Sequence, residues 1–119
     1  NLKVLTPKEL AELYNCATVG LVFSPTNPSM VPFEMMACGL PVIDINYNDN
    51  YLNYGGDCVL LVEPDPLQIA QAIAQLIKDD HLRTSLSLEG LQFISSFPSE
   101  EMVVEMLENI LLREVTKNR

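Results

Sequence analysis

The chain has 119 residues, of which 48% are hydrophobic, so it has the size and composition of one globular domain. Its formal net charge of −9 argues against nucleic acid or an anionic membrane surface as the main partner. No apolar run approaches the roughly 20 residues that a membrane-spanning helix requires. The composition therefore predicts a soluble, cytoplasmic domain without a membrane span.

Strand-like and helix-like patterns alternate along the chain, as in parallel βαβ construction. Four short, mainly apolar segments predict strands, at 2–5, 19–23, 41–45 and 58–62. The second run is continuous, as expected of a strand that is buried on both faces. Helical periodicity and capping signals predict five helices, which begin near Pro7, Pro32, Pro66, Asp79 and Ser99.

These elements predict an α/β fold, a single Rossmann-like domain over residues 1–119 with a parallel sheet flanked by helices. The last helix, over 99–116, carries an apolar stripe that favours packing across the domain over the alternative of a free partner-binding helix. Because four strands are few for this class and the chain opens directly before a strand, further βα units are expected upstream. The chain is therefore interpreted as a fragment.

Residues 9–77 contain no basic side chain, so a phosphate bound there would depend on backbone amides, hydroxyls and helix dipoles, or on another domain. The three cysteines lie in apolar surroundings, at Cys16, Cys38 and Cys58. Their odd number and wide spacing favour reduced core thiols over a disulfide framework or a metal site.

Ligands of an open parallel sheet bind beyond the carboxyl ends of its strands, where two loops qualify here, 24–31 and 46–57. The first loop leads into the helix that begins near Pro32, whose free amides would form an anion site. Glu34, in the first turn of that helix, could accept hydrogen bonds from both hydroxyls of a ribose. It could equally cap its own helix.

The second loop is rich in asparagine and tyrosine. Tyr47, Tyr51 or Tyr54 could stack on a nucleobase while Asn46 or Asn50 holds its edge. The alternative is that the asparagines serve only turn geometry.

Three segments resemble, in order and spacing, the donor-binding C-terminal domain of retaining GT-B glycosyltransferases. The run EMMACGLPVI over 34–43 is similar to that family's Glu-Ala-Met-Ala-Cys-Gly-Thr-Pro-Val-Val. The runs LVEPDP over 61–66 and TPKELAELY over 6–14 resemble its Leu-Val-Pro-Pro-Gly-Asp-Pro turn and its Ser-Pro-Glu-Glu-Leu-Ala-Glu-Leu-Tyr helix. The resemblance covers residues 2 to about 97.

The resemblance implies part of a hexosyltransferase-type enzyme of polysaccharide biosynthesis, which moves a sugar from a nucleotide diphosphate to an acceptor hydroxyl without a metal ion or other cofactor. The acceptor, a glycan or lipid-linked sugar, would bind through an N-terminal domain outside these residues. The basic residues that neutralise the diphosphate in the family lie upstream of residue 1. The isolated chain is therefore expected to be inactive.

Carried over by position, Glu34 matches the second glutamate of the family's Glu-x7-Glu motif, which holds the donor ribose. Thr26 stands where the first, catalytic-site glutamate is expected, and Asn27-Pro28-Ser29 replaces the flexible glycines of the loop. Together the two loops predict these donor-binding residues: Ser24, Asn27, Ser29, Met30, Val31, Glu34, Asn46 and Tyr47. A neutral Thr26 beside Asn27 would suit a deoxy sugar such as rhamnose, as in rhamnosyltransferase-like relatives.

Three competing interpretations remain at this point. A metal-dependent GT-A transferase would need an Asp-x-Asp motif, and Asp44-Ile45-Asn46 lacks the second carboxylate. A receiver-like or flavodoxin-like module would need a lysine on a later strand, and none lies between Lys8 and Lys78. Loss of the first motif glutamate also fits a degenerate domain that binds partners without transferase activity.

Overall fold

The computed structural model describes residues 4–25, 29–47 and 50–117, and this part of the chain confirms an α/β fold. It contains three parallel strands in the order β1-β2-β3: β1 (Gly20–Leu21), β2 (Val42–Ile45) and β3 (Leu60–Val62). It also contains five α-helices, α1 (Pro7–Cys16), α2 (Val31–Ala37), α3 (Pro66–Lys78), α4 (Asp80–Ser95) and α5 (Glu100–Lys117), and a 3-10 turn at Asn50–Asn53. The strand expected at 2–5 is not seen in its described part, since residues 4–5 form no strand.

The central strand β2 organises the core, because all four of its residues are buried. Val42 belongs to a cluster with Met36 of α2, whereas Ile43 belongs to a second cluster with Leu76 of α3. Successive strand residues point to opposite faces, so burial of all four residues means that both faces of β2 are covered. The sheet is therefore covered by helices on both sides of β2.

Local signals in the sequence set the helix ends. Thr6 and Glu9 form the predicted capping box, in which the Glu9 amide donates to Thr6 Oγ1 at 3.3 Å and the Thr6 amide to Glu9 Oε2 at 2.8 Å. Helix α2 ends at Ala37, and two residues later Gly39 has a φ of 70°, the left-handed conformation that favours glycine. The Leu40 amide donates to Met35 O at 3.0 Å, which completes a Schellman motif and turns the chain into β2.

The second predicted strand is less buried than the sequence indicates. The 19–23 run is expected to be buried on both faces, but Leu21 and Phe23 are exposed, Phe23 by 57%. These two side chains point to the same face of the sheet, whereas Val22, on the opposite face, is buried. The run is therefore buried mainly on one face, although its apolar pattern is continuous.

Helix α5 forms, with the Met102 amide donating to Ser99 Oγ at 3.3 Å, but it does not pack across the domain as expected. Every one of its residues is exposed, including nine apolar side chains between 102 and 115. Both core clusters consist of residues that precede the helix, so they provide no core position for its apolar stripe. In the described part of the chain, no helix is long and apolar enough to cross a membrane.

The prediction of three buried thiols also needs correction. Cys58 is buried in the first core cluster, Cys38 is half-buried and Cys16 is exposed. Cys16 ends α1 away from the helix face that buries Tyr14, so apolar neighbours in sequence did not translate into burial.

Candidate functional site

A cleft of about 410 Å³ lies between α1 and α2. Its lining is mainly apolar: Leu5, Pro7, Leu10, Ala11, Tyr14, Glu34, Ala37 and Cys38. Helix α2 follows a strand, so its first turn stands at the carboxyl edge of the parallel sheet, where ligands of this architecture bind. The cleft therefore combines an apolar interior with the carboxylate of Glu34.

Glu34 does not cap its own helix. Its amide donates to Met30 O at 3.0 Å in the ordinary helical pattern, and α2 has no side-chain cap at its start. Within residues 4–25, 29–47 and 50–117, no hydrogen bond or ion pair engages the Glu34 carboxylate. Burial raises the pKa of Tyr14, and the nearby Glu34 and Cys38 raise it further. An exposed, unengaged carboxylate thus lines the same cleft as a buried tyrosine.

The start of α2 offers fewer free amides than the sequence predicts. The Val31 amide donates to Ser29 Oγ at 3.2 Å, and Pro32 has no N–H. Helix α2 also has only seven residues. Ser29 therefore acts as a local acceptor at this helix end, and Met30 beside it has an exposed side chain. Thr26 and Asn27 lie outside the described residues.

The two residues predicted from the second loop lie elsewhere on the carboxyl edge. The Asn46 side-chain Nδ2 donates to Glu63 Oε1 at 3.0 Å, and the Asn46 backbone amide donates to Val62 O at 2.6 Å. Tyr47 is 46% exposed. Neither residue lines the cleft that contains Glu34.

Sequence reasoning missed a buried polar network around Asp44, whose side chain is 0% exposed. Its Oδ1 accepts from the amides of Ser24, at 3.1 Å, and Ile45, at 2.8 Å. Its Oδ2 accepts from the Tyr54 hydroxyl at 2.6 Å and from Asn50 Nδ2 at 3.0 Å. The one available signal was a carboxylate within an otherwise apolar strand.

This network decides between the alternatives left open for two loop residues. Tyr54 and Asn50 are buried and satisfied within the fold, so they serve the structure and are not exposed for base stacking or edge recognition. Ser24, predicted to contact the donor, is buried as well and uses its amide to bind Asp44. Tyr51 is exposed, like Tyr47.

The three-stranded parallel sheet, with helices on both faces, defines a Rossmann-like domain. The chain belongs to the family described as WsaF, C-terminal domain, which it matches over residues 1–74. It is 32% identical over 117 residues to the O-antigen biosynthesis protein RfbC of Myxococcus xanthus, an alignment that covers 93% of this chain and 9% of that protein. It is 28% identical over 113 residues to the alpha-1,3/1,6-mannosyltransferase ALG2 of Homo sapiens, covering 92% of this chain and 26% of that protein.

These comparisons confirm the resemblance to the C-terminal half of GT-B glycosyltransferases and support a role in glycosyl transfer at the level of the family. The chain spans a minor part of the length of both relatives. No solved structure matches it significantly.

Proposed function

We propose that this chain binds the nucleoside diphosphate of a sugar donor, with Glu34 holding the ribose and the base lying in the apolar cleft between α1 and α2. The observation that carries the proposal is the unengaged Glu34 carboxylate on the wall of that cleft. A carboxylate is an acceptor with two oxygens, so it can take hydrogen bonds from two neighbouring hydroxyls. The cleft volume lies within the roughly 300–1,000 Å³ range of small-molecule sites.

The charge distribution supports binding of the diphosphate mainly by groups outside residues 9–77. Residues 9–77 carry no basic side chain, and the start of α2 is partly used by Ser29 and Pro32. Neutralisation of the two phosphates therefore falls to groups outside these residues, with a smaller contribution from Ser29 and the amides beside Met30. The nucleoside end of the donor is the part that this chain is equipped to bind.

The reaction we propose for the complete protein is hexosyl transfer to an acceptor hydroxyl in polysaccharide biosynthesis. The acceptor, a glycan or lipid-linked sugar, would bind through another domain. The names of the relatives RfbC and ALG2 support this class of reaction. We propose that no metal ion takes part, since the nearest approach to an Asp-x-Asp motif uses Asp44, whose oxygens already accept four hydrogen bonds. The unpaired cysteines fit the reducing cytoplasm as the place of the reaction.

The two predicted contacts, at Glu34 and at Thr26, favour different donors. A ribose diol grip by Glu34 favours UDP or GDP, because dTDP carries a 2′-deoxyribose and offers only the 3′-hydroxyl. The neutral Thr26 beside Asn27, in contrast, suits a deoxy sugar such as rhamnose, which dTDP can carry. The affinities of the same protein for UDP-glucose, GDP-mannose and dTDP-rhamnose show which of the two preferences dominates.

Calorimetry of the full-length protein with these three donors tests the proposal. We expect Glu34→Ala to weaken donor binding about tenfold to a hundredfold, because a hydrogen bond to a charged group contributes about 1.5–3 kcal/mol. Glu12→Ala is the matched control, since it removes an exposed carboxylate of α1 that does not line the cleft. Equal affinity of Glu34→Ala and wild type would contradict the assigned site, and absence of binding by every donor would favour a degenerate partner-binding domain.

A further inference from the structure

The Asp44 carboxylate is buried without a cation. It accepts four hydrogen bonds, and no described lysine or arginine forms an ion pair with it. A buried carboxylate costs free energy that an apolar residue in the same strand would avoid. A carboxylate at this position offers two oxygens that accept hydrogen bonds in defined directions. These hydrogen bonds fix the positions of the groups that donate them.

Those donors come from different parts of the chain. Oδ1 binds the amide of Ser24, at the point where the chain leaves β1 for the first loop. Oδ2 binds Tyr54 and Asn50 of the second loop, and Asn50 is held in turn by Asn53, whose Nδ2 donates to Asn50 Oδ1 at 2.9 Å. One side chain of β2 thus joins both loops at the carboxyl edge.

Through Tyr54, the network around Asp44 also contacts helix α2. The Tyr54 ring packs against Phe33 with ring centroids 5.9 Å apart, and Phe33 is the residue directly before Glu34. Phe33 also contacts Phe93 and Phe97, at centroid separations of 6.3 and 5.8 Å, which anchor it to α4 and the segment after it. Asp44 therefore reaches Ser24 directly and Phe33 through one tyrosine.

We propose that Asp44 is a positioning residue that holds Ser24, where the first loop begins, and Phe33, in the first turn of α2, and so places Glu34 in the cleft. The inference rests on the proposed function in one respect, that Glu34 binds the donor. Its mechanical part, control of Ser24 and Phe33 by one carboxylate, is independent of any ligand.

The test compares four single variants of the full-length protein. Asp44→Asn turns Oδ2 into a donor that faces Asn50 and the Tyr54 hydroxyl, and Tyr54→Phe removes the hydroxyl while keeping the ring on Phe33. Ile43→Val is the stability control, because it trims the neighbouring buried residue of β2 without touching the network. Tyr51→Phe is the control for loss of an exposed hydroxyl from the same loop.

Two readouts are measured for each variant: amide hydrogen exchange of peptides that cover 22–25 and 31–37, and the KM for donor and for acceptor. We expect Asp44→Asn to speed exchange in both peptides about fivefold or more and to raise the donor KM about tenfold, with the acceptor KM unchanged. Tyr54→Phe should affect mainly the 31–37 peptide. Both controls should stay within about twofold of wild type in exchange, and Ile43→Val should do so in KM as well.

The outcomes test the positioning role of Asp44 and the proposed donor binding separately. If Asp44→Asn and Ile43→Val lose similar stability and show the same exchange and the same donor KM, Asp44 is only a core residue and the proposal is overturned. If the wild type binds no donor, the proposed function fails, and the exchange data alone decide whether Asp44 holds Ser24 and Phe33. If Asp44→Asn does not fold, the comparison of Tyr54→Phe with Tyr51→Phe decides in the same way.

Discussion

Replacing Tyr54 with phenylalanine measures what the buried network contributes to stability. The Tyr54 side chain is 8% exposed, and its hydroxyl donates to Asp44 Oδ2 at 2.6 Å. The substitution keeps the ring packed against Phe33 and deletes one oxygen, so no large cavity forms. Since a hydrogen bond to a charged group contributes about 1.5–3 kcal/mol, we expect the free energy of unfolding at pH 7 to fall by about 2 kcal/mol.

The pH dependence of this difference follows from the ionisation of Tyr54. Burial and the hydrogen bond to Asp44 raise the pKa of Tyr54 well above its usual value near 10. Above pH 10 the unfolded chain releases the Tyr54 proton while the folded chain keeps it, so the wild type loses stability as the pH rises. The loss is at most about 1.4 kcal/mol per pH unit, and Tyr54→Phe lacks it.

Urea denaturation of wild type, Tyr54→Phe and Tyr51→Phe between pH 7 and pH 11.5 checks both parts. We expect a constant difference between wild type and Tyr54→Phe up to about pH 10, then convergence of the two stabilities over one to two further units. The raised pKa values of Tyr14 and Cys58 are common to all three proteins and drop out of the comparison. A difference that stays constant through pH 11.5 would refute the reasoning, as would equal effects of the two substitutions at pH 7.

Three further predictions concern local structure. Gly39→Ala should cost about 1–2 kcal/mol in urea unfolding, because the residue has a φ of 70° and a new Cβ would lie 3.3 Å from Ser87 Oγ; an unchanged midpoint would contradict the Schellman turn. Thr6→Ala should cost about 1 kcal/mol in thermal unfolding through loss of the α1 cap, and Thr6→Ser should restore most of it. Iodoacetamide should modify exposed Cys16 first and Cys58 last, since burial lowers access to the Cys58 thiol and raises its pKa; peptide mass spectrometry showing the reverse order would contradict the fold around α1.

The position of Glu34 shows how far sequence reasoning reached into the site. Its place in the run EMMACGLPVI identified the residue and the family, because a helix that is followed by a glycine turn and a buried strand is a local pattern. Whether its carboxylate would cap the helix or face a cleft depended on α1, which lies about twenty residues away in sequence. Only the packing of α1 against α2 decided that question.

Asp44 shows the opposite case. The sequence predicts a strand around Asp44, and Asp44-Ile45-Asn46 is the nearest approach to an Asp-x-Asp metal motif. No pattern among the neighbouring residues indicates which groups donate hydrogen bonds to its carboxylate. Those partners, Ser24, Asn50 and Tyr54, lie 20, 6 and 10 residues away. They meet because two parallel strands bring their carboxyl ends, and the loops that follow, to one edge of the sheet.

By itself, the sequence determined the alternation of strands and helices, the helix caps and the family, since each depends on residue types at short spacing or on a contiguous motif. The tertiary structure alone decided which surfaces are covered: it buried β2 on both faces, left Phe23 and the whole of α5 exposed, and enclosed the hydrogen-bonded carboxylate of Asp44. The physical reason is that periodicity states which side of an element is apolar, whereas burial requires a second element to lie against that side.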